Sequence, residues 1–277
     1  MKLSSLFSLL LFLMLTVNVS VAKTKKGTFY FSWGYNTEWY TKSTITVNQS
    51  KVGTYYQLLN VSGHDNKGWD DKLFTKELTI PQYNWRLGYI FNEEKGYGIE
   101  LNFDHTKYII QDPQLIHVRG IRNGLPIDQQ INFTDTAGFF YYLNNGANFL
   151  LFNFVKHWHL KKNKSGTLQL DALAKAGIGP LIPHVENKLF GESNDPHFQL
   201  GGWNVGTEGT IKLIYLDRVF LEFATKLDYA RYSGLKINHG GEIKQAFGSI
   251  QFIGSLGFHI PKFYHFPYKL FYLQTLL

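Results

Sequence analysis

The sequence predicts an all-β protein, an eight-stranded antiparallel up-and-down transmembrane β-barrel. Three observations support this prediction. Segments of alternating apolar and polar residues recur along the chain, and the connections between them alternate between short and long. Aromatic residues make up 17% of the 277 residues, whereas charged residues make up only 18%. Many aromatic residues and few charges are more typical of a barrel that contacts lipid than of a soluble sandwich.

The start of the chain has the features of a secretory signal peptide. Lys2 supplies a basic residue, an apolar run extends from 6 to 17, and small residues precede a cleavage position after Ala22. A retained anchor is the alternative, but the run is shorter than the roughly 20 residues that a spanning helix needs. The predicted organisation is a signal peptide at 1–22, a barrel at 23–260 and a C-terminal aromatic tail at 261–277.

Composition limits the chemistry and the partners. The chain has no cysteine and a formal net charge of +7. Thiolate metal sites and cysteine nucleophiles are therefore excluded, and an exported chain without disulfides needs a large regular structure for its stability. Export argues against nucleic acid as the partner of the positive charge. Outer-membrane lipid and lipopolysaccharide, whose head groups are anionic, are the expected partners.

The first predicted strand covers 27–36, and the second and third form a hairpin within 84–110. Alternate residues of the hairpin form an apolar face, namely Trp85, Leu87, Tyr89, Phe91, Tyr97, Ile99, Leu101 and Phe103. Arginine and carboxylate side chains lie on the opposite face. Aromatic residues on one face and charges on the other indicate lipid outside and a polar lumen inside.

Five further segments show the same alternation, at 148–158, 166–178, about 198–213, 217–230 and 248–260. Each is long enough for the 9–11 residues with which a tilted strand crosses a bilayer. The total of eight is even, as is usual for single-chain bacterial barrels.

The connections are short at 92–96, 160–165 and 214–217, and long at 37–81, 111–147, 179–197 and 231–245. In outer-membrane barrels short turns face the periplasm and long loops face outward. The first long loop contains the strand-like pieces STITV and GTYYQLLNV, which predict a ribbon protruding above the membrane. A ten-stranded barrel is the alternative, although STITV is too short to cross.

Charged side chains on the inward faces predict a network in the lumen. Its expected members are Arg86, Glu100, Asp104, Glu208, Lys212, Arg218, Glu222, Lys226 and Asp228. Opposite charges should pair there, because an unpaired charge in a narrow lumen is costly to desolvate. A structural network that fills the barrel is expected; a polar conduit or a proton relay is the alternative.

Tyrosine and tryptophan side chains on the outward faces predict two belts at the membrane surfaces, where one end of the ring is apolar and the other meets water. The residues expected in these belts are Trp33, Tyr35, Trp85, Tyr89, Tyr97, Trp158 and Tyr229, with Tyr83 and Tyr108 in the outer belt as well.

No motif predicts a catalytic site. Asp104 and His105 should face opposite sides of their strand. His157 and His159 share a face, but the sequence shows neither a carboxylate nor a third histidine near them, so no metal or other cofactor is expected. Loop residues that would have to converge for catalysis are His64, Asp65, Asp70, Asp71, His184, Glu186 and His197.

On these features the sequence resembles small bacterial outer-membrane barrels of the OmpA-transmembrane-domain and OmpX type. The strand that ends Gly254-x-Leu256-x-Phe258-x-Ile260 looks like the signal read by the barrel-assembly machinery. The resemblance covers roughly 27–260, and the tail at 261–277 departs from it, because such barrels usually end at the last strand.

The resemblance implies a monomer in the cell outer membrane with a structural or surface-interaction role and long extracellular loops. A lipid-modifying enzyme, either an acyltransferase or a deacylase, is one alternative. The deacylase type carries a His-x-Ser pair, but no histidine in this sequence has a serine two positions after it. A small-solute channel is the other. A non-enzymatic role is the expectation.

Overall fold

The computed structural model describes residues 27–69, 77 and 81–260. The predicted signal peptide at 1–22 and the tail at 261–277 lie outside the described residues. Three short 3₁₀ turns occur in the described part, at Ser50–Val52, Asp135–Ala137 and Asn238–Gly240. No helix within the described ranges is long and apolar enough to cross a membrane.

The described residues form eighteen strands, which pair antiparallel with their neighbours. In chain order they are β1 (Thr28–Tyr40), β2 (Ser43–Gln49), β3 (Thr54–Val61), β4 (Gly63–His64), β5 (Tyr83–Asn92), β6 (Tyr97–Asp104), β7 (Tyr108–Ile110), β8 (Gln114–Arg122), β9 (Leu125–Phe133), β10 (Phe140–Leu143), β11 (Phe149–Lys162), β12 (Leu168–Pro180), β13 (His184–Leu189), β14 (Glu192–Ser193), β15 (His197–Phe198), β16 (Gly202–Tyr215), β17 (Val219–Lys236) and β18 (Glu242–Ile260).

Eight of these strands close into a ring. The ring order is β1, β5, β6, β11, β12, β16, β17 and β18. The last strand returns to the first, with register pairs running from Phe29↔Ile260 to Tyr40↔Ser249. Closure leaves no free edge along the ring. The prediction of an eight-stranded, up-and-down antiparallel barrel is confirmed.

Three short turns lie at one end of the ring, at 93–96, 163–167 and 216–218. We call this the turn end and the opposite end the loop end. The prediction of a long loop at 231–245 is wrong, because β17 continues to Lys236 and β18 begins at Glu242. The outward side chains of this segment become polar, as at Arg231 and Lys244, so the alternation of outward apolar residues ends before the strands do.

The ten remaining strands build a second unit on the loop end, which we call the head. It also includes the loop-end parts of β17 and β18. In one part of the head, β2 pairs with both β18 and β3, and β8 pairs with both β3 and β9. In another part, β4 pairs with β7, β7 with β10, and β10 with β13. The predicted ribbon at 43–61 therefore lies outside the ring, and the ten-stranded alternative is wrong.

The buried side chains form layers along the barrel axis. A small apolar cluster closes the turn end, formed by Tyr30, Ile90, Val155, Leu173, Ile214 and Phe220. Polar and charged side chains fill the lumen beyond it. A larger apolar core lies in the head, where Leu58, Val118 and Phe247 are among its buried members.

Candidate functional site in the lumen and on the rims

Charged side chains from five ring strands meet in the lumen, because the inward faces of a small barrel converge. The guanidinium of Arg86 lies 2.8 Å from a carboxylate oxygen of Glu208 and 3.5 Å from one of Glu222. The ammonium of Lys175 lies 2.8 Å from an oxygen of Glu100 and 2.9 Å from one of Glu208. Each carboxylate therefore neighbours at least one cation.

Lys212 is the third cation of this lumen cluster, which also contains Arg86, Lys175, Glu100, Glu208 and Glu222. Its nitrogen lies 3.3 Å from Glu222 and faces the rings of Tyr30 and Phe220 at 4.1 and 4.0 Å. The hydroxyl of Tyr30 donates to Glu100 at 2.6 Å. Three cations thus balance three carboxylates, and the cluster rests directly on the apolar layer at the turn end.

A second set of polar contacts lies nearer the loop end. Lys226 contacts Asp104 and lies 3.4 Å from Asp228. Glu38 accepts hydrogen bonds from Gln251 at 3.2 Å and from the Tyr40 hydroxyl at 2.9 Å. These contacts connect the lumen cluster to the core of the head.

Side chains fill the lumen along its length. On β1 the inward residues Tyr30, Ser32, Asn36 and Glu38 are each no more than 1% exposed. Water has no access to these positions, so the arrangement fits a packed lumen rather than a water-filled passage.

One predicted member of the network lies elsewhere, and one member was missed. Arg218 is exposed, because β17 begins one residue later and Leu216 and Asp217 form a turn with positive φ before it. Lys175 occupies an inward position of β12 that the alternation of this strand indicates. Its pairing with Glu100 depends on how distant strands face each other across the lumen.

The aromatic residues expected at the surfaces lie on the outward faces near both ends of the ring. At the turn end, Lys156 lies 4.5 Å from the ring centre of Tyr97 and 5.5 Å from that of Trp158. Nearby, Tyr89 stacks on Phe29 at 4.2 Å.

Toward the loop end, three aromatic pairs lie on the outward face. Trp33 stacks on Tyr83 at 4.6 Å, Trp85 stacks on Phe103 at 5.7 Å, and Tyr229 contacts Trp203 at 5.8 Å. Tyr35 is paired with Tyr83 in the register of β1 and β5.

Tyr108 is the exception among the predicted interfacial aromatics. It is fully buried in the head, where it stacks on Phe247 at 4.9 Å. Its strand, β7, is a head strand and not part of the ring, so it cannot contribute to a belt around the barrel.

Between the two ends, the outward face is apolar and exposed. Phe152 is 60% exposed, Phe223 65% and Ile99 56%. From Val219 to Tyr229 on β17, every outward side chain is uncharged. Isolated exposed apolar side chains are normal in water, but a continuous band around a molecule marks contact with another apolar phase.

Two histidines at the turn end lie beside the same carboxylate, contrary to the expectation from the sequence. The Asp171 carboxylate lies 2.6 Å from Nε2 of His157 and 3.1 Å from Nδ1 of His159. The hydrogen bond to Asp171 raises the pKa of His159, which lies beyond the aromatic residues of the turn end. Asp171 is inward on β12, the strand that pairs with β11, so this contact follows from ring order.

Among the residues considered for catalysis, Asp70 and Asp71 lie outside the described residues, and the described Asp104, His105, His64 and His197 each contact a different partner. Asp104 contacts Lys226 in the lumen, whereas Nδ1 of His105 lies 2.8 Å from the side-chain oxygen of Asn148. Nδ1 of His64 and Nδ1 of His197 each lie within hydrogen-bond distance of a backbone carbonyl, at 2.7 and 2.8 Å.

No protein-family model matches the sequence, and no curated protein matches it. Among solved structures, the chain is similar to small outer-membrane β-barrel proteins. Neisserial surface protein A is 9% identical, with 83% of this chain and 96% of that chain covered and a TM-score of 0.34. OprG from Pseudomonas aeruginosa is 11% identical, with coverages of 88% and 100% and a TM-score of 0.41.

The attachment invasion locus protein Ail of Yersinia pestis is 14% identical, with coverages of 85% and 99% and a TM-score of 0.30. Sequence identities and TM-scores this low do not indicate a function. The fold is established by the strand pairing of the closed ring.

Proposed function

We propose that the chain is an integral, monomeric protein of the bacterial outer membrane, oriented with its turn end toward the periplasm and its head on the cell surface. The observation that carries the proposal is the exposed, uncharged band around a closed strand ring. In lipid every backbone hydrogen bond must be made internally, and a closed ring makes them without a helix.

The last ring strand supports assembly by the barrel-assembly machinery. Gly254, Leu256, Phe258 and Ile260 lie on its outward face, and its pairing with β1 closes the ring. Outer-membrane lipid and lipopolysaccharide would surround this face.

The role we propose is non-enzymatic: the barrel anchors the head, which acts as a surface-interaction unit. The packed lumen supports this role over solute passage. The head supports it too, because its own apolar core gives it a defined shape above the ring.

Two experiments test the proposal. In the first, the outer-membrane fraction is run on a denaturing gel with and without boiling, and the unboiled protein should migrate differently, as a closed barrel does. Protein that stays soluble without detergent and shows no shift would overturn the membrane location. A variant with Phe152→Asp in the outward band is the control and should insert poorly.

In the second experiment, the purified protein is placed in planar lipid bilayers. The packed lumen predicts no stable conductance steps. Steady steps in the wild type that change in the Glu208→Gln variant would support a channel instead, because Glu208 lies in the lumen cluster.

A further inference from the structure

We propose that the turn end holds a divalent transition-metal site formed by Glu93, His157 and His159. Each of these side chains offers a ligand atom, and the three atoms lie within 4.8 Å of one another. Among the histidine, aspartate and glutamate side chains of residues 27–69, 77 and 81–260, no other group of three meets this spacing. The inference does not depend on the proposed function.

The local structure brings the three side chains together. His157 and His159 are two residues apart on β11, so they lie on one face of the strand, with ring centres 4.5 Å apart. Glu93 lies in the turn between β5 and β6, and β6 is the ring neighbour of β11. Strand order therefore places this turn beside the two histidines.

A backbone hydrogen bond holds the turn against β11, because the amide of His157 donates to the carbonyl of Gly96 at 2.7 Å. Within the turn, the amide of Lys95 donates to the side chain of Asn92 at 2.8 Å. Gly96 has a φ of +66°, and a Cβ there would lie 1.9 Å from the His157 carbonyl oxygen. Glycine at this position thus permits the close approach that keeps Glu93 near His157.

Asp171 orients both imidazole rings. Its two oxygens contact Nε2 of His157 and Nδ1 of His159, as described above, and the Gln169 amide donates to it at 2.8 Å. When the Nε2–H of His157 donates to Asp171, the other nitrogen of that ring is unprotonated and available to a metal. Nδ1 of His157 fits this role, because it is buried and has no hydrogen-bond partner among the described residues.

The donor set indicates the class of metal. Two imidazole nitrogens with one carboxylate suit Zn²⁺ and its first-row neighbours, whereas Mg²⁺ and Ca²⁺ prefer all-oxygen sites. Ligand atoms on tetrahedral Zn²⁺ lie roughly 3.3 Å apart, given metal–ligand distances near 2.0–2.1 Å. The exposed side chain of Glu93 can rotate to close the difference, and three protein ligands leave one position for water.

The test uses the purified protein in detergent, without a histidine tag, titrated with Zn²⁺ by calorimetry. One Zn²⁺ should bind per chain. His157→Ala, His159→Ala and Glu93→Gln should each weaken binding by more than about tenfold, and Asp171→Asn should weaken it by about tenfold, as for partners that orient ligands. Glu93→Gln changes an exposed turn and should leave folding intact.

His117→Ala is the matched control. Nε2 of His117 lies 2.5 Å from an oxygen of Asp128 in the head, a histidine–carboxylate pair for which the described residues offer no third ligand. Zn²⁺ binding by this variant should equal that of the wild type. Each variant is checked for the gel shift on boiling, so that a loss of binding is not a loss of fold. Zn²⁺ binding that is unchanged by Glu93→Gln and His159→Ala, or absent from the folded wild type, would overturn the site.

Discussion

The ring and the head bury opposite kinds of side chain. In the ring, charged residues such as Arg86, Glu208 and Lys175 are buried inside, and aromatic and aliphatic residues are exposed outside. In the head, the interior is apolar, with Leu58 and Val118 fully buried. Both units are antiparallel sheets made from the same chain, so the strand structure itself does not decide which residues are buried.

A single strand shows the change. The inward residues of β17 are charged at Glu222 and Lys226 and become apolar at Tyr232 and Leu235. Its outward residues change in the opposite sense, from Phe223 to Arg231. The reversal occurs near Tyr229, where the ring passes into the head.

On the proposed membrane location, the surrounding solvent accounts for the difference. Apolar side chains gain free energy when they leave water, so a unit in water buries them. In lipid the outward apolar side chains are already in an apolar phase, and charged groups must find partners inside the barrel instead. The reversal along β17 therefore marks the expected boundary between membrane and water.

Removing a charge from the lumen should have the largest effect. Arg86→Ala leaves Glu208 and Glu222 without their guanidinium partner, and breaking a buried pair costs about 3–5 kcal/mol. Urea unfolding of the barrel in lipid vesicles measures the change in the free energy of unfolding. The control is Arg218→Ala in the exposed turn, which should change it by less than about 0.5 kcal/mol. Equal effects of the two variants would mean that the lumen pairs do not stabilise the ring.

Creating a cavity in the head should destabilise the head and spare the ring. Leu58 is fully buried, and Leu→Ala in a core costs about 2–5 kcal/mol. Limited proteolysis should cleave the head of the Leu58→Ala variant faster, while the gel shift of the ring on boiling persists. Leu125→Ala, at a position that is 70% exposed, should behave like the wild type. Loss of the gel shift would show that ring and head unfold together.

An added positive charge should have different effects on the outer surface of the ring and on that of the head. Phe223→Arg places a charge in the outward band, at a cost of about 2–4 kcal/mol if it lies near the middle of the bilayer. Leu115→Arg, in the head at a position that is 70% exposed, should change the free energy of unfolding by no more than about 0.5 kcal/mol. The folding yield in lipid vesicles is measured for both variants. Similar yields would argue against lipid contact at position 223.

The smallest expected effect concerns the aromatic residues at the turn end. Lys156→Gln removes the cation beside Tyr97 and Trp158, and such contacts at exposed sites contribute about 0.5–1 kcal/mol. Unfolding in vesicles should show a loss of this size. Lys164→Gln, in the turn that follows β11, is the control and should have no measurable effect. A loss shared by both lysine variants would indicate a general effect of charge.

The ring could be predicted from the sequence because its signal is local. Alternation within each strand separates lumen from lipid, and it indicates the inward positions of Arg86, Glu100 and Lys226 without knowledge of their partners. The head could not be predicted in the same way. Its strands are short and pair with distant parts of the chain, as β2 does with β18 at Ile45↔Gln245.

The contacts between side chains were harder to predict than their faces. Lys175 reaches Glu100 because the inward faces of β12 and β6 meet across the lumen, and the sequence does not give the strand stagger that fixes this distance. The neighbours of His157 were within reach of sequence reasoning. The up-and-down order makes the turn that holds Glu93, and the strand that holds Asp171, adjacent to β11.

On the proposed membrane location, β17 passes from lipid into water where its inward and outward residues change character. The chain has no cysteine, so single variants Phe223→Cys, Leu227→Cys, Arg231→Cys and Lys236→Cys can each carry one fluorescent label on β17. The labelled proteins are folded into vesicles whose lipid acyl chains are brominated. We predict strong quenching at positions 223 and 227 and little at 231 and 236. Equal quenching at all four positions, or none at 223 and 227, would contradict the account.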